Sequence, residues 1–256
     1  MVTRSPIGRA AVAAAALAAV GALVGCNEAA RASYSRSAAP AATVAEPALP
    51  VVKPPAPPTP PAVVATALHR LTVYRSPHAP APYERLGRRT MFGSARVLLV
   101  TTQTKGWVQA LLPQRPNGSR GWVPASQVRL SSTPYRVEVS TRTHRATLFR
   151  GDTRVLTTKV ANGKASTPTA RGTFYVTDVI KVLGYQPWYG PWALALSGYS
   201  PVLQTFEGGD AELAMHGTDE PQLLGTAASH GCIRMSNKAI NRLAHLLPLG
   251  TPVIIH

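Results

Sequence analysis

Ser229-His230-Gly231-Cys232-Ile233-Arg234-Met235, read together with Met215-His216-Gly217-Thr218 upstream, is the stretch on which the reading of this chain turns. A lone cysteine sits in a glycine-containing turn, His230 lies shortly before it, and Arg234 follows two residues on. Positive charge near a thiol lowers its pKa and raises the thiolate fraction. His216 follows an apolar run and precedes a glycine, so it can stand at a strand end facing the same pocket. A cysteine and a histidine within hydrogen-bond reach are the equipment for acyl transfer through a thioester. A single cysteine is also often just a small buried hydrophobe, so spacing alone leaves both readings open.

Outward from that stretch the chain reads as mainly β. Arg136 to Ser140 alternates with period two. Ala146 to Phe149 and Arg154 to Val160 flank Arg150-Gly151-Asp152, a hairpin pattern. Gly172 to Val179 is rich in β-branched and aromatic residues. Lys238 to Leu247 has apolar residues at helical spacing, follows Ser236-Asn237 as a cap and stops before Pro248 and Gly250, so a helix is predicted there. Thr251 to Ile255 reads as a closing strand.

Before this region, residues 65–131 hold short alternating runs at Leu71 to Tyr74, Val97 to Thr101, Gly106 to Leu112 and Gly121 to Val128. Gly106-Trp107-Val108 is echoed by Gly121-Trp122-Val123 across a Pro- and Gly-containing loop. That is the pattern of a small antiparallel barrel, and it resembles bacterial SH3-like domains. Trp107 and Trp122 are expected in its core, since large aromatics dominate small cores. Residues 26–64 are rich in Ala, Pro and Ser. Proline lacks an amide donor and blocks helix, so an extended spacer is expected.

Residues 1–25 read as an export signal. Arg4 and Arg9 supply positive charge, and Ala10 to Val24 is an apolar run too short for an ordinary membrane span. The run ends Leu23-Val24-Gly25-Cys26, which resembles a lipobox. The implied product is exported, cut before Cys26 and lipidated there. A lipid anchor would hold it at the outer face of a bacterial membrane, reaching into the wall. Cys26 and Cys232 are the 2 cysteines, so the mature fold is expected to carry no internal disulfide.

The chain carries 27 Lys and Arg against 11 Asp and Glu, a formal charge of +16. Such a surface attracts anionic lipid or wall polymers. The basic residues are scattered and match no nucleic-acid-binding module, so no nucleic-acid partner is expected. The protein is expected to be a monomer.

The motif region resembles the L,D-transpeptidase family with its YkuD-type catalytic domain. That signature has a His-Gly, a gap of about a dozen residues, then Ser or Thr, His-Gly-Cys, a small aliphatic residue and Arg. The resemblance spans residues 135–256. It includes Ser166-Thr167-Pro168-Thr169-Ala170-Arg171-Gly172, where Ala170 replaces a common proline, and Gly190-Pro191-Trp192. It implies a YkuD-type β-sandwich with a short helix after the cysteine, preceded by the SH3-like barrel. It also implies Cys232 as nucleophile, His216 as base and Gly217 as the carbonyl that orients the histidine. The amides of Gly231 and Cys232 become oxyanion donors, and Arg234, Ser229, His230 and Trp192 become substrate contacts. The implied reaction takes an acyl group from a peptidoglycan tetrapeptide stem, releases D-alanine and forms a 3→3 cross-link. No cofactor is expected, because the thiol supplies the covalent chemistry.

Three rivals remain at this stage. Water as acceptor would make an L,D-carboxypeptidase. A non-catalytic wall-binding lipoprotein could use the barrel and the basic surface alone. A zinc site needs three or four ligands, and only Cys232, His230 and His216 are on offer, so no metal is expected. The aromatic segment Lys181 to Phe206 reads equally as core or as a lid that excludes water.

Overall fold

The computed structural model describes residues 59–184 and 186–256. The export signal, Cys26 and the linker up to residue 58 lie outside the described residues, as does Tyr185 of the aromatic segment.

The N-terminal strands are β1 (Ala62–Ala67), β2 (Leu71–Val73), β3 (Glu84–Leu86), β4 (Val97–Thr104), β5 (Trp107–Leu111), β6 (Arg120–Pro124) and β7 (Val128–Thr133). Five of them form an antiparallel sheet in the order β6-β5-β4-β1-β7, and β2 pairs with β3 as a separate hairpin. Val108, Ala110 and Val123 point into the core with Leu71, Val73 and Leu98. The tryptophans do not. Side chains alternate across a strand, so Trp107 and Trp122 take the outer face and stay half-buried. There Trp107 meets Tyr74 edge-on at 5.2 Å and His78 at 5.4 Å. The expectation that both tryptophans fill the core is corrected: the small aliphatics fill it.

The C-terminal strands are β8 (Tyr135–Ser140), β9 (Arg145–Arg150), β10 (Thr153–Gly163), β11 (Gly172–Lys181), β12 (Trp192–Tyr199), β13 (Glu212–His216), β14 (Ala227–Ser229), β15 (Ile233–Met235) and β16 (Pro252–Ile255). The sheet runs β14-β10-β15-β13-β12-β11-β16-β8-β9, and β9 pairs back to β10. Two long strands make this closure possible. The first part of β10 pairs with β9 and its end with β15. The first part of β11 pairs with β16 and the rest with β12. Each therefore passes between two layers, and the result is a mainly β sandwich. Val137, Leu148, Phe174, Leu194, Met215, Ile233 and Val253 from both layers share one core.

The helix α1 (Asn237–Leu246) covers one end of that core with Ala239, Ile240 and Leu243. Ser236 caps it, its hydroxyl accepting from the Ala239 amide, which satisfies one of the free donors of the first turn. The two sheet systems are keyed together by Tyr175 of β11. Its ring is fully buried among the N-terminal core residues and its hydroxyl donates to the Leu111 carbonyl at 3.3 Å.

Candidate active site

Strands β13 and β15 lie side by side and parallel, with Met215 opposite Ile233 and His216 opposite Arg234. Leu213, Met215, Ile233 and Met235 go into the core. Alternation therefore sends Glu212, Ala214 and His216, and on the other strand Cys232 and Arg234, to the opposite face. His216, Cys232, Arg234 and Glu212 line one small cavity, roofed by Trp188, Tyr189, Leu203, Phe206 and Glu207.

His216 is 4% exposed. Its Nδ1 lies 2.7 Å from the Gly217 carbonyl oxygen. A carbonyl only accepts, so Nδ1 carries the hydrogen and Nε2 keeps its lone pair. Burial pushes the ring's pKa down to about 4, Arg234 adds to this, and the Gly217 carbonyl offsets it only in part. The imidazole is therefore neutral near pH 7. Tyr189 covers it edge-on at 4.9 Å between ring centres.

Cys232 is partly exposed at the cavity floor. Burial of the thiol raises its pKa; a hydrogen bond from the Ala214 backbone and the charge of Arg234 pull the other way without reversing it. The expectation of a thiol acidified by Arg234 is thus corrected. Arg234 is turned to Glu220, 2.7 Å away, and desolvation outweighs what charge remains. A resting thiol with a neutral histidine in the same cavity needs a base to become a nucleophile.

The turn that presents Cys232 is tied on all sides. The Ser229 hydroxyl accepts from the Gly231 amide at 3.1 Å and donates to the Cys232 carbonyl at 2.6 Å. Thr169 donates from its hydroxyl to the Gly231 carbonyl at 2.7 Å and accepts from the Gly163 amide at 2.8 Å. Thr167 donates to the Ser229 carbonyl at 3.3 Å. Gly231 has φ +128°, a backbone state that L side chains rarely adopt.

A family model described as the L,D-transpeptidase catalytic domain, YkuD, matches residues 134–255. The YkuD protein of Bacillus licheniformis is 34% identical over 154 residues, which is 57% of this chain and 85% of that one. The chain belongs to the YkuD-type L,D-transpeptidase family. The YqjB protein of Bacillus subtilis is 30% identical over 139 residues, 52% of this chain and 76% of that one. An L,D-transpeptidase from Mycobacterium tuberculosis H37Rv, solved by X-ray crystallography, is 16% identical with a TM-score of 0.43, over 63% of this chain and 90% of that one.

Within this L,D-transpeptidase domain, the fold gathers Cys232, His216, Gly217, Arg234, Ser229 and His230 but not Trp192. Trp192 lies on the other side of β12, donates from Nε1 to Asn241 of α1 at 3.1 Å and packs edge-on against His245. It anchors the helix, and the expected substrate contact is corrected. The Gly231 amide is also unsuited to the expected oxyanion role, because it already donates to Ser229. Ser229, at 1% exposure, has its hydroxyl committed twice within the turn, so it builds the turn rather than meeting a ligand. His230 is exposed at the rim, stacked on Phe206 at 5.3 Å.

Sequence reasoning missed Asn237. Its Oδ1 accepts from the Thr218 amide at 2.9 Å, just past the Gly217 carbonyl that holds His216. A Cβ on Gly217 would sit 2.2 Å from that oxygen and 2.9 Å from Gly190 Cα, so the position admits only glycine without a shift. Asn237 was read as part of the helix cap alone; nothing in the local pattern marked its side chain as reaching back to β13. His144, read as incidental, instead pairs through Nδ1 with Asn162 at 2.6 Å.

Proposed function

We propose that this protein is a peptidoglycan L,D-transpeptidase acting by cysteine acyl transfer. The observation that carries the reading is the neutral His216, its Nδ1–H fixed on the Gly217 carbonyl, sharing one cavity with Cys232. In the proposed first step His216 Nε2 takes the thiol proton as Sγ attacks the acyl carbon that precedes D-alanine in a tetrapeptide stem. The C–N bond then breaks and His216 returns the proton to the departing amine. In the second step an amine of a neighbouring stem attacks the thioester, giving a 3→3 cross-link and freeing the thiol. The Cys232 amide remains the candidate oxyanion donor once Gly231 is set aside.

Upstream of the catalytic sandwich, we assign the N-terminal sheet to an SH3-like module. Cys26 is the proposed lipid anchor, and residues 26–64 are the proposed spacer into the wall. Intact-mass measurement after incubation with a carbapenem-type β-lactam tests the acylation chemistry. One adduct on the protein and none on Cys232→Ala supports it; equal labelling of both, or of neither, contradicts it.

A further inference from the structure

A second opening reaches Cys232. A groove of about 680 Å³ runs from the thiol across Ala214, Ala195 and Ala193 toward Thr177 and Asp178, and ends under Met91 and Phe92 of the N-terminal sheet system. The alanines leave its floor bare. Its walls are acidic: Asp178, Glu207, Asp210 and Glu212 all line it, four of the 11 acids in a chain of net charge +16.

None of the four takes part in an ion pair among the described residues, where the two pairs are Arg136–Glu138 and Arg234–Glu220. Two cations do line the groove, Arg96 and Lys181. Arg96 is spent on the Gly87 and Arg89 carbonyls, at 2.6 and 3.0 Å. Asp178 is 2% exposed and accepts from the Thr90 hydroxyl at 2.5 Å, and Glu207 accepts from Tyr189. Thr177 is 5% exposed, and its buried Oγ1 has no partner among the described residues. Uncompensated acids beside an unsatisfied hydroxyl in a desolvated groove are costly unless a ligand completes them. Among the described residues no three side chains are arranged to hold a metal ion, so an organic cation fits better.

We propose that this groove is the acceptor site of the transfer and that it recognises the acceptor stem by its primary ammonium, held by Glu212, Asp178 and Thr177. The proposal rests on the transpeptidase reading and names the side of Cys232 from which the second substrate arrives. A site reached from two openings suits a thioester whose acyl half fills one and whose acceptor enters by the other. The bound ammonium gives one proton to the Glu212 carboxylate. The neutral nitrogen attacks the thioester carbon, the C–N bond forms and the C–Sγ bond breaks. The nitrogen's second proton passes through His216 to the thiolate. Glu212 is held protonatable up to about 7 by burial, Asp178 and Asp210, which suits a carboxylate that takes a proton on binding.

The full-length protein in detergent, with a disaccharide-tetrapeptide donor and Nα-acetyl-lysine amide as acceptor probe, tests this. D-alanine release reads acylation, and the acetyl-lysine adduct reads transfer. In Glu212→Gln the acceptor KM should rise at least tenfold, and that loss should exceed any fall in acylation by the same factor. Thr177→Val should give a smaller rise of the same kind. A Glu212→Gln variant with unchanged acceptor KM overturns the acceptor groove while leaving the transpeptidase standing. So do equal losses in both steps, and so does a wild type that acylates but never transfers to the probe. A wild type that releases no D-alanine overturns the reading beneath it.

Discussion

The floor and the roof of the site are built on different plans. The floor, from Ser229 to Arg234, is tied mostly to itself and to the neighbouring Thr167-Pro168-Thr169 run, by short bonds from hydroxyls to backbone. The roof, Ser200 to Ala211, is held from far away in the chain. Arg115 donates to the carbonyls of Asp210 and Leu203 at 3.0 and 2.8 Å and lies over the Tyr199 ring. Asn117 donates to the Tyr199 carbonyl and accepts from its amide. Two roof residues, Glu207 and Ala211, have φ of 49° and 52°, a sparsely populated state for non-glycine residues. A pinned floor fixes the nucleophile, whereas a roof braced by another sheet system can shift without disturbing it. The floor should therefore govern the chemical step and the roof the handling of substrate.

Breaking the floor should give the largest effect. Gly217→Ala forces a Cβ against Asn237 and Gly190 and moves the carbonyl that orients His216. Displacement on this scale costs catalysis about a hundredfold or more, read as the rate of D-alanine release. Ser229→Ala removes both bonds across the Cys232 turn; activity should fall about tenfold and stability by about 1–3 kcal/mol, read by denaturant unfolding. Effects this large from the roof instead would invert the comparison.

The strand joining the two regions carries a titration test. His216 has its pKa at about 4 in the fold against 6.5 free. As pH falls from 6.5 toward 4 the unfolded chain takes the proton first, and stability is lost. Glu212 runs the other way, about 7 in the fold against 4.5 free, so its contribution is present below 4.5 and lost as pH rises toward 7. Each slope is about 1 kcal/mol per pH unit, and the two oppose each other in the shared window. Glu212→Gln should therefore gain stability on the wild type as pH rises from 4.5 to 6.5, followed by denaturant unfolding across that range. A constant difference between the two would contradict the opposing burials.

Loosening the roof should give the smallest change. Arg115→Ala releases two carbonyls at its edge, which should lower stability by about 1 kcal/mol. It should shift the ratio of cross-linked to hydrolysed product by a few-fold, with D-alanine release changed less.

The floor was legible in the sequence because its parts are neighbours. Ser229, Gly231 and Cys232 share one turn, and Thr167 and Thr169 fall in one quoted motif. The helix was legible for the same reason: its apolar spacing and the Ser236 cap placed it within one residue of Asn237–Leu246. The roof was not. No local pattern tells that Arg115 and Thr90, from the N-terminal sheet, brace or line a pocket near residue 200, since only tertiary packing brings them together. Strand β12 was hidden inside an aromatic segment that read equally as lid or core. Trp192 was misplaced because a strand's facing depends on register, and a one-residue shift sends a side chain to the opposite face. The thiol's pKa was misjudged because charge is visible in a sequence and burial is not.

The most direct test of the central claim is mass spectrometry of the products formed from a disaccharide-tetrapeptide by the chain beginning at Asn27, beside its Cys232→Ala variant. A cross-linked dimer lacking one D-alanine, absent with the variant, is the predicted result. The same dimer from both proteins, or no reaction from either, would contradict cysteine acyl transfer at Cys232.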